Sequence, residues 1–145
     1  MAHNITLATS DLELEQCFPV MQELRPQLVA AEFVARVRRQ ASSGGYQLAY
    51  LAADDATGGV RALAGFRLSE SLSWGKFLYV DDLITTASAR SHGHGEALLH
   101  WLVEYARTHQ CTQLHLDSGV QRFEAHRFYM RHHMQIVAHH FSVPL

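Results

Sequence analysis

A glycine-rich segment between a predicted strand and a predicted helix has residue types suited to binding an anion. Its glycines let the backbone approach a ligand, and the N–H groups at a helix start point outward from the positive end of the helix dipole. An arginine adds a charge-assisted contact to phosphate. It is neither a Walker loop nor a dinucleotide fingerprint, and an ordinary strand-to-helix turn remains the alternative. The segment consists of Arg90, Ser91, His92, Gly93, His94 and Gly95, followed by Glu96.

A tyrosine on a later predicted helix could supply a proton. Ala125, Phe128 and Tyr129 share one helical face at positions i, i+3 and i+4. A tyrosine has a reference pKa near 10, so it stays protonated at neutral pH and can donate to a leaving group. The alternative is a core aromatic residue whose hydroxyl has an internal partner.

Carboxylates at predicted strand ends could accept a proton. Asp82 and Asp117 each lie at or beside such an end and could take a proton from an ammonium group, directly or through a water. Each could equally be a solvated or helix-capping aspartate. The sequence alone leaves both interpretations open.

Eleven histidines raise the question of a metal site. Adjacent histidines on a strand point to opposite faces, so they cannot both bind one ion. We therefore interpret them as polar surface or loop residues and assign no metal ligands. The pairs are His92 and His94, His132 and His133, and His139 and His140.

Length and charge limit the classes of function. The 145 residues predict a single domain over residues 1–145, and a net charge of −2 lacks the basic surface that nucleic-acid backbones or anionic membranes attract. No apolar run reaches 18 residues and no signal peptide is recognisable. The two distant cysteines indicate no disulfide framework. We therefore expect a cytoplasmic protein with neither nucleic-acid nor membrane partners.

Hydrophobic periodicity predicts the elements that would position these residues. The order is β-α-α-β-β-β-α-β-α-β, which indicates an α/β fold with a mixed sheet and helices on its faces. We expect Pro19 to kink or restart the first helix, and Pro26 to end it. Strands are predicted over residues 5–9, 46–53, 60–68, 77–86, 112–116 and 135–143, with a turn over 54–59; later helices are predicted over 29–40, 93–110 and 124–132.

The glycine-rich segment and the tyrosine helix together resemble the GNAT superfamily of acyl-CoA-dependent N-acetyltransferases. The resemblance covers most of the chain and is strongest over residues 80–141. It implies a central, mostly antiparallel sheet that splays between the fourth and fifth strands. Residues 125–131, with His140 and Phe141, most resemble the aminoalkylphosphonate acetyltransferase branch.

The resemblance also implies roles for individual residues. Leu83, Ile84 and Thr85 would run beside the pantetheine arm, and residues 90–96 would hold the pyrophosphate. Tyr129 falls where the family's tyrosine protonates the coenzyme A thiolate, and Gly119 stands near where many members have an asparagine that contacts the coenzyme. His126 is a further candidate for cofactor binding. The candidate acceptor-binding residues are Arg25, Trp74, Tyr79 and Asp81.

The resemblance implies transfer of an acetyl group from acetyl-CoA to a primary amine of a small molecule. Direct attack by the amine would use Tyr129 as the general acid, and Asp82 or Asp117 as the base. A divalent ion, used by the aminoalkylphosphonate branch, stays open without assigned ligands, and a homodimer is expected through residues 137–143. The alternatives are a non-catalytic CoA-binding or regulatory module on the same fold, and a histidine-rich metal-handling protein.

Overall fold

The computed structural model describes residues 4–54 and 59–145, which form two compact units divided between His115 and Leu116. Residues 55–58 of the predicted 54–59 turn lie outside the described residues. No helix within the described ranges is long and apolar enough to cross a membrane. The elements are β1 Ile5–Leu7, α1 Asp11–Leu24, α2 Ala30–Gly44, β2 Gln47–Ala52, β3 Val60–Ser71, β4 Gly75–Thr85, a 3₁₀ turn Ala87–Ala89, α3 His94–Thr108, β5 Gln113–Leu116 and α4 Phe123–Arg131.

The five strands form one sheet in sequence order, from β1 to β5. Strands β1 to β4 pair antiparallel with their neighbours. Beside β4, the Thr112 N–H just before β5 donates to the Lys76 carbonyl at 2.8 Å. The predicted mixed sheet, mostly antiparallel and flanked by helices, is therefore confirmed, while its splay between β4 and β5 stays a prediction.

Two apolar layers cover the faces of this sheet. On one face, α1 and α2 pack over Leu63 in a cluster that includes Leu14 and Phe33. Because strand side chains alternate, Phe66 lies on the opposite face, where its ring packs edge-on against two aromatic rings of α3. These are Trp101 at 5.9 Å and Tyr105 at 5.1 Å between ring centroids.

Helix α1 begins with a capping box. The Ser10 hydroxyl accepts from the Glu13 N–H, and the Glu13 carboxylate accepts from the Ser10 N–H, both at 3.1 Å. The helix continues through Pro19 to Leu24, so it does not restart near this proline, and the alternative of a kink there stays a prediction. Burial of one helical face compensates for the hydrogen bond that proline cannot donate. The buried residues are Leu14, Cys17, Val20 and Met21.

The prediction of a last strand over residues 135–143 is wrong. Within the second unit these residues belong to no helix or strand. The side chains of Ile136 and Phe141 are 72% and 90% exposed. An apolar segment can form a strand only where a neighbouring strand supplies hydrogen bonds, and no described residue pairs with this segment in the sheet. The homodimer expected through this segment stays a prediction.

Candidate active site

A β-bulge places two carboxylates on the same side of β4. Gly65 lies opposite Asp82 and Phe66 opposite Val80, so Asp81 is an extra residue without a partner of its own. Neighbouring residues in a regular strand point to opposite faces, but a bulge redirects the extra side chain. Asp81 and Asp82 consequently line the same cavity.

This cavity lies between the first two helices and the sheet and has a volume of about 360 Å³, enough for a small molecule. Four predicted site residues meet around it, namely Arg25, Tyr79, Asp81 and Asp82. Residues of α1, α2 and the loop between them form much of the rest of its wall. The full lining is Met21, Arg25, Gln27, Leu28, Phe33, Arg36, Val37, Gln40, Tyr46, Tyr79, Asp81 and Asp82.

Each carboxylate of the pair contacts its own arginine. Arg25 Nε donates to Asp82 Oδ1 at 3.0 Å, and Arg25 Nη2 donates to the Asp81 carbonyl at 2.9 Å. Arg67 Nε donates to Asp81 Oδ2 at 2.9 Å, and its Nη2 donates to the Gln40 side chain at 3.0 Å. The arginines therefore offset the negative charge and fix both carboxylates in position.

A buried tyrosine holds the second oxygen of Asp82. The Tyr46 hydroxyl donates to Asp82 Oδ2 at 2.7 Å. Burial raises the pKa of Tyr46, and the negative charge of Asp82 raises it further, so the hydroxyl remains a donor at neutral pH. A Cβ at Gly65 would overlap the Tyr46 hydroxyl and Asp82 Oδ2, so this strand position needs glycine to leave room for the contact.

Asp81 occupies a less polar environment than an exposed aspartate. Burial raises the pKa of its carboxyl, and the hydrogen bond and charge of Arg67 oppose that rise. Its side chain is 23% exposed, against 12% for Asp82. The two acids thus differ in their surroundings although they are adjacent in the chain.

The chain leaves β4 at Thr85 and reaches α3 through the glycine-rich segment. Leu83, Ile84 and Thr85 form the end of β4. Arg90 Nε then lies 3.5 Å from the Thr85 carbonyl, and its side chain is exposed.

Gly93 caps α3 with a φ of 79°, in the left-handed region that glycine adopts most readily. Ser91 has a φ of 68°, also in that region. The Ala97 N–H donates to the Gly93 carbonyl at 3.0 Å, while the first N–H groups of any helix have no acceptor within it. The amides of His94, Gly95 and Glu96 are thus placed to bind an anion. A Cβ at Gly93 would meet no atom within 4 Å, so its requirement for glycine comes from the backbone angle.

The second unit contains three further predicted site residues, Asp117, His126 and Tyr129. Tyr129 lies on α4 with its ring 5.5 Å from that of Phe128, and burial raises the pKa of Tyr129, opposed by the charge of Arg122. His126 Nε2 is 2.8 Å from the Gly119 carbonyl oxygen. Asp117 Oδ2 is 3.2 Å from a ring nitrogen of His140. The proton-transfer and coenzyme roles of these residues stay predictions.

Trp74 lies outside the lining of the cavity. Its ring stacks on His115 with 3.6 Å between ring centroids and meets Phe77 edge-on at 5.0 Å. Tyr46 and Arg36 do line the cavity, although sequence reasoning missed both. A tyrosine in an apolar strand needs a hydroxyl partner, which was an available signal for Tyr46. Arg36 carried no such signal because an arginine on an amphipathic helix is typical of an exposed face.

Comparison with known proteins identifies the family. Residues 12–134 match the family described as "Acetyltransferase (GNAT) family". The chain is 36% identical over 121 residues to an uncharacterised N-acetyltransferase, YhdJ, of Bacillus subtilis, covering 83% of each protein. It is 33% identical over 88 residues to glucosamine 6-phosphate N-acetyltransferase 1 of Oryza sativa, covering 59% of this chain and 53% of that protein.

A solved structure shows the same fold. AAC(6')-Iy, solved in complex with a bisubstrate analogue that contains CoA, superposes with a TM-score of 0.81 at 11% identity. The match covers 100% of this chain and 99% of that one. The family match spans most of the chain, and the mixed sheet agrees with it. The chain therefore belongs to the GNAT family of acetyltransferases, which implies acetyl transfer from acetyl-CoA.

Proposed function

We propose that this acetyltransferase acts on the primary amine of a small molecule and that the amine binds in the cavity beside the β4 bulge. The observation that carries the proposal is the pair of carboxylates on one wall of a cavity of about 360 Å³. An ammonium group is attracted to carboxylates and donates hydrogen bonds to them. The cavity size favours a small molecule over a macromolecule.

Asp82 is the proposed proton acceptor for the amine. Each of its oxygens already accepts one hydrogen bond, from Arg25 or from Tyr46. A carboxylate offers about four lone-pair sites, so Asp82 can still accept from an ammonium group. Its fixed position would hold the nitrogen in one place while the proton leaves, directly or through a water. Asp117 is the alternative base.

The proposed acetyl-CoA site lies at the end of β4 and the start of α3. Acetyl-CoA supplies the thioester whose acetyl group is transferred. The amides of residues 94–96 would bind its pyrophosphate with the dipole of α3 behind them. Arg90 would add a charge-assisted contact. The left-handed Gly93 supports this assignment because it lets the backbone turn sharply into the helix and adds no side chain where the anion approaches.

Tyr129 is the proposed general acid. Its raised pKa keeps the hydroxyl protonated at neutral pH, which a proton donor to a leaving thiolate requires. The hydroxyl would donate its proton to the sulfur as coenzyme A leaves. Packing of the ring is a separate role that phenylalanine would preserve.

Release of free thiol from acetyl-CoA in the presence of an amine panel tests this function. Wild-type protein should release thiol with at least one amine, and Tyr129→Phe should lower kcat about 10²–10⁴-fold. Tyr50→Phe is a matched control, since Tyr50 contacts Glu13 and lines no part of the cavity. Unchanged turnover in Tyr129→Phe would show that Tyr129 only packs. If no amine is acetylated but acetyl-CoA still raises the melting temperature, the chain is a non-catalytic CoA-binding module.

A further inference from the structure

Arginines and aspartates both line the acceptor cavity, but they do not all pair with one another. Two carboxylates, Asp81 and Asp82, are paired with Arg67 and Arg25. Arg36 on α2 also lines the cavity and is half-buried. The lining thus holds two guanidinium groups, those of Arg25 and Arg36, while Arg67 pairs with Asp81 from outside the lining.

Arg36 differs from the other two arginines in its contacts. Arg25 and Arg67 each donate two hydrogen bonds within the site. Arg36 makes no hydrogen bond or ion pair with any residue in the described ranges 4–54 and 59–145. A guanidinium group has five N–H donors, and a planar pair of them fits a phosphate or carboxylate. Arg36 is thus a charged donor at the cavity with no partner in the described part of the chain.

We propose that Arg36 binds an anionic group, phosphate or carboxylate, on the same small molecule whose amine is acetylated. This inference rests on the proposed function for the location of the amine. An acceptor with both groups would place its ammonium at Asp81 and Asp82 and its anion at Arg36. A purely cationic acceptor such as a polyamine would offer no anionic group to the Arg36 guanidinium. The substrate class is therefore an amine that also carries an anionic group.

Matched acceptors and variants test the proposal by thiol release. Glucosamine 6-phosphate is compared with glucosamine, and serine with serinamide, so that each pair differs in the anionic group. Arg36→Gln should raise KM for the anionic members about 10- to 100-fold, as expected for losing a hydrogen bond to a charged group. It should leave KM for the neutral members unchanged. The pair with the larger effect identifies phosphate or carboxylate as the preferred anion.

Two further variants distinguish the loss of the Arg36 charge from a disturbance of the fold. Arg36→Lys keeps the positive charge and should recover part of the lost affinity for the anionic acceptor. Arg39→Gln removes an exposed arginine from the same helix outside the cavity lining and should change nothing. Equal KM changes for charged and neutral acceptors in Arg36→Gln, or equal effects of the Arg36→Gln and Arg39→Gln variants, would overturn the proposal.

Calorimetry separates this inference from the proposed function. Wild-type protein should bind glucosamine 6-phosphate more tightly than glucosamine even in the absence of acetyl-CoA. Arg36→Gln should remove that difference, and Arg39→Gln should keep it. If no amine is acetylated, the proposed function fails, while this binding difference still decides the role of Arg36.

Discussion

Replacing Gly65 with alanine should destabilise the protein, although the same change at most strand positions is favourable. Alanine normally gains about 0.5–1 kcal/mol over glycine within a strand. At Gly65 the new Cβ would overlap the Tyr46 hydroxyl and Asp82 Oδ2. Separating these two groups would cost about 1.5–3 kcal/mol for a hydrogen bond to a charged group. Crowding would cost about 1–3 kcal/mol more. We expect a net loss of about 2–5 kcal/mol in the free energy of unfolding.

Urea unfolding of a double-mutant cycle measures this effect. Tyr46→Phe alone should cost about 1.5–3 kcal/mol because it removes the hydroxyl that donates to Asp82. In the Gly65→Ala background the same substitution should cost less, since the hydrogen bond is already disrupted. A Gly65→Ala variant as stable as the wild type, or additive effects of the two substitutions, would refute the proposed need for space above Gly65.

Two further predictions concern the start of α3 and the start of α1. Acetyl-CoA should raise the melting temperature of the wild type. The Gly93→Val variant should show no such rise, because valine disfavours a φ of 79°. A rise equal to that of the wild type would exclude the segment as the coenzyme site. The amide of Ser10, with the Tyr50 hydroxyl and other nearby donors, lowers the pKa of Glu13 from 4.5 to about 2. Ionised Glu13 therefore adds stability above about pH 4.5 that is lost as the pH falls toward 2. In Glu13→Gln the free energy of unfolding, measured with urea, should fall less between pH 4.5 and 2 than in the wild type. An equal fall in both proteins would contradict the assignment.

Periodicity predicted the elements whose side chains pack within the chain's own sheet. The first five strands and the helices between them form in the predicted order, with ends that differ by a few residues. Residues 135–143 show the limit of this reasoning, because the apolar residues of a segment do not reveal whether a partner strand lies beside it. Pro19 shows another, since burial of the α1 face outweighs a local helix-breaking signal.

The sequence predicted several residues of the candidate site but not the strand pairing that brings their side chains together. Arg25, Tyr79, Asp81 and Asp82 were predicted as site residues and line one cavity. Simple alternation, however, would send the two adjacent aspartates to opposite faces. Only the register of β4 against β3 shows the bulge that brings them together, and register depends on contacts between distant parts of the chain.

Because Asp81 is the extra residue of a bulge, the number of carboxylates in the cavity can change without a change of fold. Val80 and Asp82, on either side of it, already face opposite sides of the sheet, paired with Phe66 and Gly65. Deleting Asp81 would therefore join two residues in correct alternation, and every other side chain of β4 would keep its face. A deletion of a single codon could thus remove one negative charge from the cavity without a shift in register. Related sequences could gain or lose an acidic group in this cavity by inserting or deleting one residue.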